Sequence, residues 1–415
     1  MRWLIDAIYL AVAIITSPIW LVRMIRTGKI KTDWAGRFGC AHPTPATGQK
    51  RILLHAVSVG EVNAIRKLVE RFAQLNAPPQ IVIAATTNTG WARASNLFGR
   101  DHQVVRYPLD FSFAVIRFLE AVQPDVVVLV ELEVWPNFTM ACAQRGIPVC
   151  VINGRLTPRS ANRYRLLGHL IQPSFRRLAF AAVQNQAYAQ RFRRMGVPSE
   201  ALSITGTMKW DSAEIADHVD GADALAAQMG IDRTRPLIVA GSTAPGEHEL
   251  LVEAVPQGRQ LLCAPRKPEW FDRAAAAMPR CARRSRSECG SATGRFLLDT
   301  IGELRQAYAL ADVVVVGRSF GDLHGSDMIE PIALGKATIV GPSVADFQDT
   351  VDALLAGDGI IQTDRQTLPV TLNALLNDPQ RRRQLAANGR AVIRAHQGAT
   401  DRHVELIQAL LAQST

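Results

Sequence analysis

The chain has 415 residues, 48% of them hydrophobic and 20% charged, which is too long for one ordinary core and too apolar for disorder, so two globular domains are expected. A formal net charge of +10 favours partners that carry phosphate or carboxylate groups: nucleic acid, an anionic membrane surface or a phosphorylated substrate. The six cysteines, Cys40, Cys142, Cys150, Cys263, Cys281 and Cys289, form neither a CxxC pair nor a zinc spacing, so no disulfide framework and no metal site are implied.

Residues 3–22 (WLIDAIYLAVAIITSPIWLV) form an apolar run of about the length that crosses a bilayer. Arg23, Arg26, Lys29 and Lys31 follow it, and by the positive-inside tendency that flank keeps the rest of the chain in the cytoplasm. A cleaved signal peptide carries its charge before the apolar stretch. Only Arg2 precedes this one, so residues 1–30 are read as an uncleaved membrane anchor. Asp6 and Pro18 interrupt the run, and a helix lying in the interface or covering an apolar surface is the alternative.

From residue 51, short β-branched runs alternate with longer helical segments, the rhythm of a parallel sheet with helices on both faces. The first half, 31–211, predicts strands at 52–57, 80–86, 103–107, 125–130, 148–153 and 180–184. Four constellations sit near their ends. In His55-Ala-Val-Ser58-Val-Gly60-Glu61, a strand runs through a turn into a helix. Ser58 and Glu61 have the spacing of a capping box, in which the carboxylate satisfies a backbone N–H. The same carboxylate, at the crest of a strand, is placed to take a proton from a substrate hydroxyl. Spacing alone leaves both readings open.

Glu131-Leu-Glu133-Val-Trp135 follows the all-apolar strand 125–130, and strand alternation sends both carboxylates to one side. Charges there must be solvated, paired or used, and Arg155 is a candidate partner for Glu133. Asn153-Gly154-Arg155-Leu-Thr157-Pro-Arg159-Ser160 brings guanidinium groups to a helix start, a pattern suited to phosphate. Arg163 and Arg165 behind them read as a solvated face. Gly206-Thr-Met-Lys209-Trp-Asp211 closes the first domain, and Lys209 there either neutralises a departing phosphate or is a surface lysine.

The rhythm breaks over the polar stretch 212–235, read as a linker, and resumes in 236–395 with strands at 237–241, 260–264, 295–298, 312–316, 337–340 and 359–362. A helical tail follows from about 379, with 396–415 as a C-terminal helix. Gly241-Ser242-Thr243 reads as a small anion-binding turn. Arg266, after the next strand, shares that edge. Asp299 to Leu304 carries Thr300 three residues before Glu303, a second capping-box spacing. Gly325-Ser326-Asp327-Met328-Ile329-Glu330-Pro331 opens a helix whose first turn offers backbone N–H groups to phosphate and Glu330 to ribose hydroxyls. The absence of a Walker loop and of a G-x-G-x-x-G fingerprint argues against an NTPase or dinucleotide enzyme, and no basic-aromatic repeat points to nucleic acid.

Taken in order, HAVSVGE, ELEVWPN, INGRLTPRS, GTMKWD, GST, PRKPEWF, DTIGEL and EPIALGKATIVGP resemble the 3-deoxy-D-manno-octulosonate (Kdo) transferases of lipid A biosynthesis, over nearly the whole chain. The resemblance implies an α/β fold of GT-B architecture, two Rossmann-like domains facing a cleft with an N-terminal hydrophobic anchor helix. It implies a transferase at the cytoplasmic face of the inner membrane that moves Kdo from CMP-Kdo to a phosphorylated glycolipid acceptor on an anionic membrane surface, with neither cofactor nor metal. By motif, Glu61 falls on the proton acceptor, and Glu131 and Lys209 on groups that stabilise the transition state. Ser58, Gly60, Arg155 and Arg159 fall on the acceptor side. The donor side takes Ser242, Thr243, Pro265, Arg266, Ile301, Gly302, Glu303, Asp327, Met328, Ile329 and Glu330. One departure stands out: Asp327 replaces an amide by a carboxylate beside the expected nucleotide. It keeps two alternatives open, another nucleotide-sugar enzyme of the same architecture and a catalytically impaired glycolipid-binding homologue.

Overall fold

The computed structural model describes residues 2–26, 30–166 and 168–413, without the side chains of Arg23, Arg163, Arg165, Leu166 and His169. Lys29 and the Arg23 side chain, read above as part of the basic flank, therefore lie outside the described residues, as do the Arg163 and Arg165 side chains. The chain forms two compact units, residues 1–212 with 397–415, and residues 213–396.

The first unit holds β1 (Arg51–Ala56), β2 (Gln80–Ala85), β3 (Gln103–Arg106), β4 (Val126–Val130), β5 (Val149–Gly154), β6 (Leu178–Val183) and β7 (Leu202–Ile204). They make one sheet in the order β3-β2-β1-β4-β5-β6-β7, every neighbouring pair parallel. Because helices cover both faces, alternate side chains enter two separate cores: Val127 and Leu129 go to one, Val126, Val128 and Val130 to the other. That double burial is why β4 reads as an unbroken apolar run.

The second unit holds β8 (Leu237–Thr243), β9 (Gln260–Pro265), β10 (Ala282–Arg283), β11 (Arg295–Leu297), β12 (Val313–Val316), β13 (Ala337–Val340) and β14 (Ile361–Gln362). Its parallel sheet runs β10-β11-β9-β8-β12-β13-β14. Two strands escaped the sequence reading, β7 with three residues and β10 with two.

The segment 212–235 is more than a linker: it carries the helix Ala222–Met229, whose Leu225, Ala226 and Met229 are buried within the second unit. The C-terminal helix Ala399–Gln413 belongs to the first unit, where Val404 and Ile407 join one core of its sheet. Burying two such side chains stabilises by roughly 1.5–3 kcal/mol each. Asp211 fixes the return, accepting the N–H groups of Gly398 at 2.6 Å and Thr400 at 2.5 Å at the start of that helix. The apolar N-terminal run is helical over Arg2–Arg26, long and apolar enough to cross a membrane.

Candidate active site

In the first sheet the strand order reverses between β1 and β4, and open α/β sheets bind ligands beyond the carboxyl ends of the strands that flank such a reversal. Glu61 follows β1 and Glu131 follows β4. The two line one hollow of about 260 Å³ together with Glu133, Arg155, Thr157 and Ser160.

Glu61 does both things its spacing allows. Ser58 Oγ accepts the Glu61 N–H at 3.4 Å, while the Glu61 carboxylate accepts the Val57 N–H at 2.8 Å and the Ser58 hydroxyl at 2.9 Å. The helix is therefore capped from both sides, the carboxylate reaching one residue past the cap to the Val57 N–H, and it still borders the hollow. Burial, reinforced by the nearby Glu131 and Glu133 charges and opposed by the Val57 and Ser58 hydrogen bonds, pushes the Glu61 carboxyl up to about 7. A carboxyl so placed exchanges its proton near neutrality, as a general base must.

Glu131 is not the next residue of a strand. β4 ends at Val130, and Glu131 takes a left-handed backbone with φ of 65°. Its N–H donates to the Ile152 carbonyl at 3.0 Å and its carbonyl accepts the Arg155 N–H at 3.2 Å, so the turn is held by the neighbouring β5. Both carboxylates reach one hollow because the turn brings them there, rather than by strand alternation. Burial raises the Glu131 carboxyl, and Arg155 and Lys209 oppose the rise. Arg155 thus acts on Glu131, whereas Glu133 accepts the Trp135 indole N–H at 2.8 Å.

Lys209 is positioned by Asn153, named above only as the start of its segment, and by His403, which sequence reading passed over. Asn153 Oδ1 accepts the Met208 N–H at 3.2 Å, and the Asn153 N–H donates to His403 Nε2 of the C-terminal helix at 3.1 Å. Burial lowers the His403 pKa to about 4, so its ring is neutral and able to accept. Among the acceptor-side residues, Arg155 lines the hollow, the Ser58 side chain closes the cap, Gly60 is exposed beside the Ser58 hydroxyl, and Arg159 is exposed away from the hollow.

The second unit repeats the arrangement at its own reversal, between β8 and β12. A hollow of about 270 Å³ is lined by Ser242, Arg266, Tyr308, Arg318, Ser326, Asp327 and Glu330, among others. The ends of β8 and β12 approach so closely that a Cβ on Gly317 would meet the Thr243 Cα at 2.5 Å, and the helix Leu304–Leu310 packs so closely on β8 that one on Gly241 would meet the Tyr308 hydroxyl at 2.0 Å. Glu247, only 2% exposed, binds these turns together. One carboxylate oxygen accepts the N–H groups of Ala244 and Arg318 at 2.9 and 2.8 Å, the other those of Ser319 and Phe320, both at 3.0 Å.

Of the donor-side residues, Ser242, Arg266, Asp327 and Glu330 meet at this hollow, and Pro265 ends β9 beside Thr243. Several others carry no side chain to it. Thr243 is fully buried with Oγ1 2.9 Å from His248 Nε2, and Met328 and Ile329 are core residues, because the turn and the short helix need apolar and paired side chains beneath them. Glu303 is drawn into an ion pair with Arg284 at 2.8 Å and accepts the Thr300 hydroxyl. Ile301 points to solvent, and Gly302 turns with φ of 103°. The first-turn N–H of Ile329, expected to face phosphate, donates instead to Asp327 Oδ1 at 2.9 Å. Burial, with the Asp327 charge adding to it, raises the Glu330 carboxyl, and Arg305 3.7 Å away offsets part of the rise. Sequence reading missed Arg318, one arginine among many; Ser326, quoted there only as part of its segment, brings a buried hydroxyl without a partner among the described residues.

Residues 32–212 match the family described as 3-deoxy-D-manno-octulosonic-acid transferase (kdotransferase). A 3-deoxy-D-manno-octulosonic acid transferase of Bordetella pertussis is 32% identical, over 94% of this chain and 95% of its own length. One of Haemophilus influenzae is 29% identical over 98% and 99%. Among solved structures, HepE of Anabaena in complex with UDP is similar with a TM-score of 0.58 at 13% identity, covering 88% of this chain and 100% of its own. MurG of Acinetobacter baumannii gives 0.55 at 15% identity over 87% and 99%. The last two share the GT-B fold, and only that.

Proposed function

Since the chain belongs to the 3-deoxy-D-manno-octulosonic-acid transferase family, we propose that it transfers Kdo from CMP-Kdo to a hydroxyl of a phosphorylated lipid A precursor of the lipid IVA type, at the cytoplasmic face of the inner membrane. The relatives supply the reaction class. The observation that carries it onto this chain is the Glu61 carboxyl, held near neutrality in a hollow at the sheet reversal with Glu131 and Arg155.

In this reading Glu61 takes the proton of the incoming acceptor hydroxyl as its oxygen bonds to the anomeric carbon and the bond to the CMP phosphate breaks. Glu131, its charge balanced by Arg155 and Lys209, faces the positive charge that develops on the sugar. Arg155 and Lys209 also suit the acceptor's phosphates. Arg266 and Arg318 offer cationic charge to the donor, and Ser242 and Ser326 offer hydroxyls. CMP leaves with a single phosphate, for which guanidinium and ammonium groups suffice, so the reaction proposed here requires no divalent metal.

The test is CMP release by the purified chain given CMP-Kdo and the lipid acceptor. Release that needs both substrates and persists in EDTA is expected. A chain that releases no CMP, while binding a UDP-sugar in preference to CMP-Kdo, overturns the reading. The same assay reads the base: Glu61 works ionised, and its raised pKa means the ionised form accumulates only as pH rises through about 7. At subsaturating acceptor, the rate should climb about tenfold per pH unit below that point and level off above it. A profile flat between pH 5 and 8 excludes Glu61 as the titrating base.

A further inference from the structure

The Arg2–Arg26 helix exposes a broad apolar surface. Leu10, Val12, Ile14, Ile15, Ile19, Leu21, Val22 and Ile25 are all open, Ile15 and Ile19 by about three quarters. At 3.6 residues per turn they cover an arc of roughly 200°. Thr16 and Ser17 lie on the other side, with Trp20 between them. Among the described residues, the one acid of this helix is Asp6, and it is turned away from that surface into the body of the first unit. Asp6 Oδ1 accepts the Ser112 N–H and the Asn137 side-chain amide, both at 2.9 Å, at the starts of the helices Ser112–Val122 and Pro136–Gln144. Three residues on, the Tyr9 hydroxyl donates to Asp110 at 2.9 Å.

The other end returns to the same body. Thr32 Oγ1 lies 3.0 Å from Asn88 Oδ1, and the Arg37 guanidinium donates to the Thr86 carbonyl. The helix rises about 30 Å from Asp6 to Arg26, roughly the thickness of a hydrocarbon core. Thr32 lies six positions past Arg26, and an extended chain of that length reaches about 21 Å at most. A crossing helix would leave its far end beyond the reach of Asn88. It would also break the hydrogen bond by which the Ile30 N–H returns to the Met24 carbonyl at 3.3 Å, and oblige Lys31 and Asp33 to recross the hydrocarbon. A row of rings, Tyr9, Phe111, Phe113, Phe38 and Trp34, with successive centroids 6.0–6.1 Å apart, joins the docked end to the return. Phe113 is 51% exposed, and Trp34 and Phe38 37% each, so the row extends the apolar surface at the level where aromatic side chains favour the interface.

We propose that this helix enters and leaves a bilayer on one side: it lies in a single leaflet as an in-plane plank, held to the first unit at Asp6 and Tyr9 and again, just past it, at Thr32, with an anionic lipid surface as its occupant. Arg2, Arg26 and Lys31 place positive charge at its two ends, where headgroups meet it. The inference rests on the function proposed above only in taking a membrane as the surrounding phase. It replaces the spanning anchor with a monotopic one.

The test uses the full chain with Cys40, Cys281 and Cys289 replaced by Ser, carrying either Arg2→Cys or Lys31→Cys, and treated with a membrane-impermeant maleimide. Both cysteines should label in inverted inner-membrane vesicles and neither in intact spheroplasts. Arg2→Cys labelling only in spheroplasts, with Lys31→Cys labelling only in inverted vesicles, overturns the proposal in favour of a span. Pelleting with phosphatidylglycerol vesicles tests the occupant separately, since a chain left in the supernatant shows that lipid does not cover this surface. CMP release is read on every variant, so a lost fold or a failed functional reading is seen apart from the topology.

Discussion

Replacing Glu61 by Gln lowers CMP release by about 10²–10⁴-fold, the usual worth of a positioned general base, while CMP-Kdo binds as before. The isosteric amide separates the two roles that the geometry gives this side chain. Gln still presents an oxygen to the Val57 N–H or the Ser58 hydroxyl, which Glu61 holds at 2.8 and 2.9 Å, so the start of the helix survives and the melting temperature moves by a few degrees at most. Proton transfer does not survive, because an amide has no lone pair basic enough to accept the hydroxyl proton near neutral pH. The rise of rate through about pH 7 should vanish with it. Steady-state release at saturating donor, with donor affinity by calorimetry, decides the matter. A Glu61→Gln protein turning over within threefold of the parent, but melting well below it, would reduce Glu61 to its cap.

The second large effect falls on stability. Glu247→Ala should destabilise the second unit by at least about 3 kcal/mol, since it leaves four backbone N–H groups of two tight turns without their acceptor, and each buried orphan costs roughly 1–3 kcal/mol. Glu247→Gln should rescue little of this. Its amide nitrogen would face a pair of N–H donors where the carboxylate presented an oxygen, so repulsion replaces two of the four bonds. Urea denaturation of the full chain, followed by a probe in each unit, should show the transition of residues 213–396 moving to lower urea while that of the first unit stays. Donor affinity should fall in parallel, because the same turns carry Ser242 and Arg318 to the hollow. A Gln variant as stable as the parent removes the argument.

Neither effect follows from the sequence in the same way. Ser58 and Glu61 stand three residues apart, and that local spacing announces both a helix start and a carboxylate at the end of a strand. Glu247 announces nothing: four residues past Ser242-Thr243 it reads as one more acid in a helix start, and three of its four hydrogen bonds go to residues more than 70 positions away. Thr243 errs in the opposite direction. Its place after a strand made it a candidate ligand, and packing against His248 withdrew it from the hollow.

The same division runs through the molecule. The sequence by itself determined the places of all the described strands but β7 and β10, the parallel α/β class, the position of Glu61, Glu131, Arg155 and Arg266 at strand ends, and the apolar first helix, because period, length and turn chemistry are properties of short windows. It could not show that the C-terminal helix returns to the first unit, since Asp211 reaches Gly398 and Thr400 across nearly 190 positions. It could not decide whether the N-terminal helix spans or lies flat. Length and hydropathy are equal for both, and the in-plane placement we propose rests on Asp6 in the helix and Thr32 six positions past it, polar residues that hydrogen-bond to one body. Partners distant in sequence are chosen by how finished elements pack, so only the tertiary structure records them.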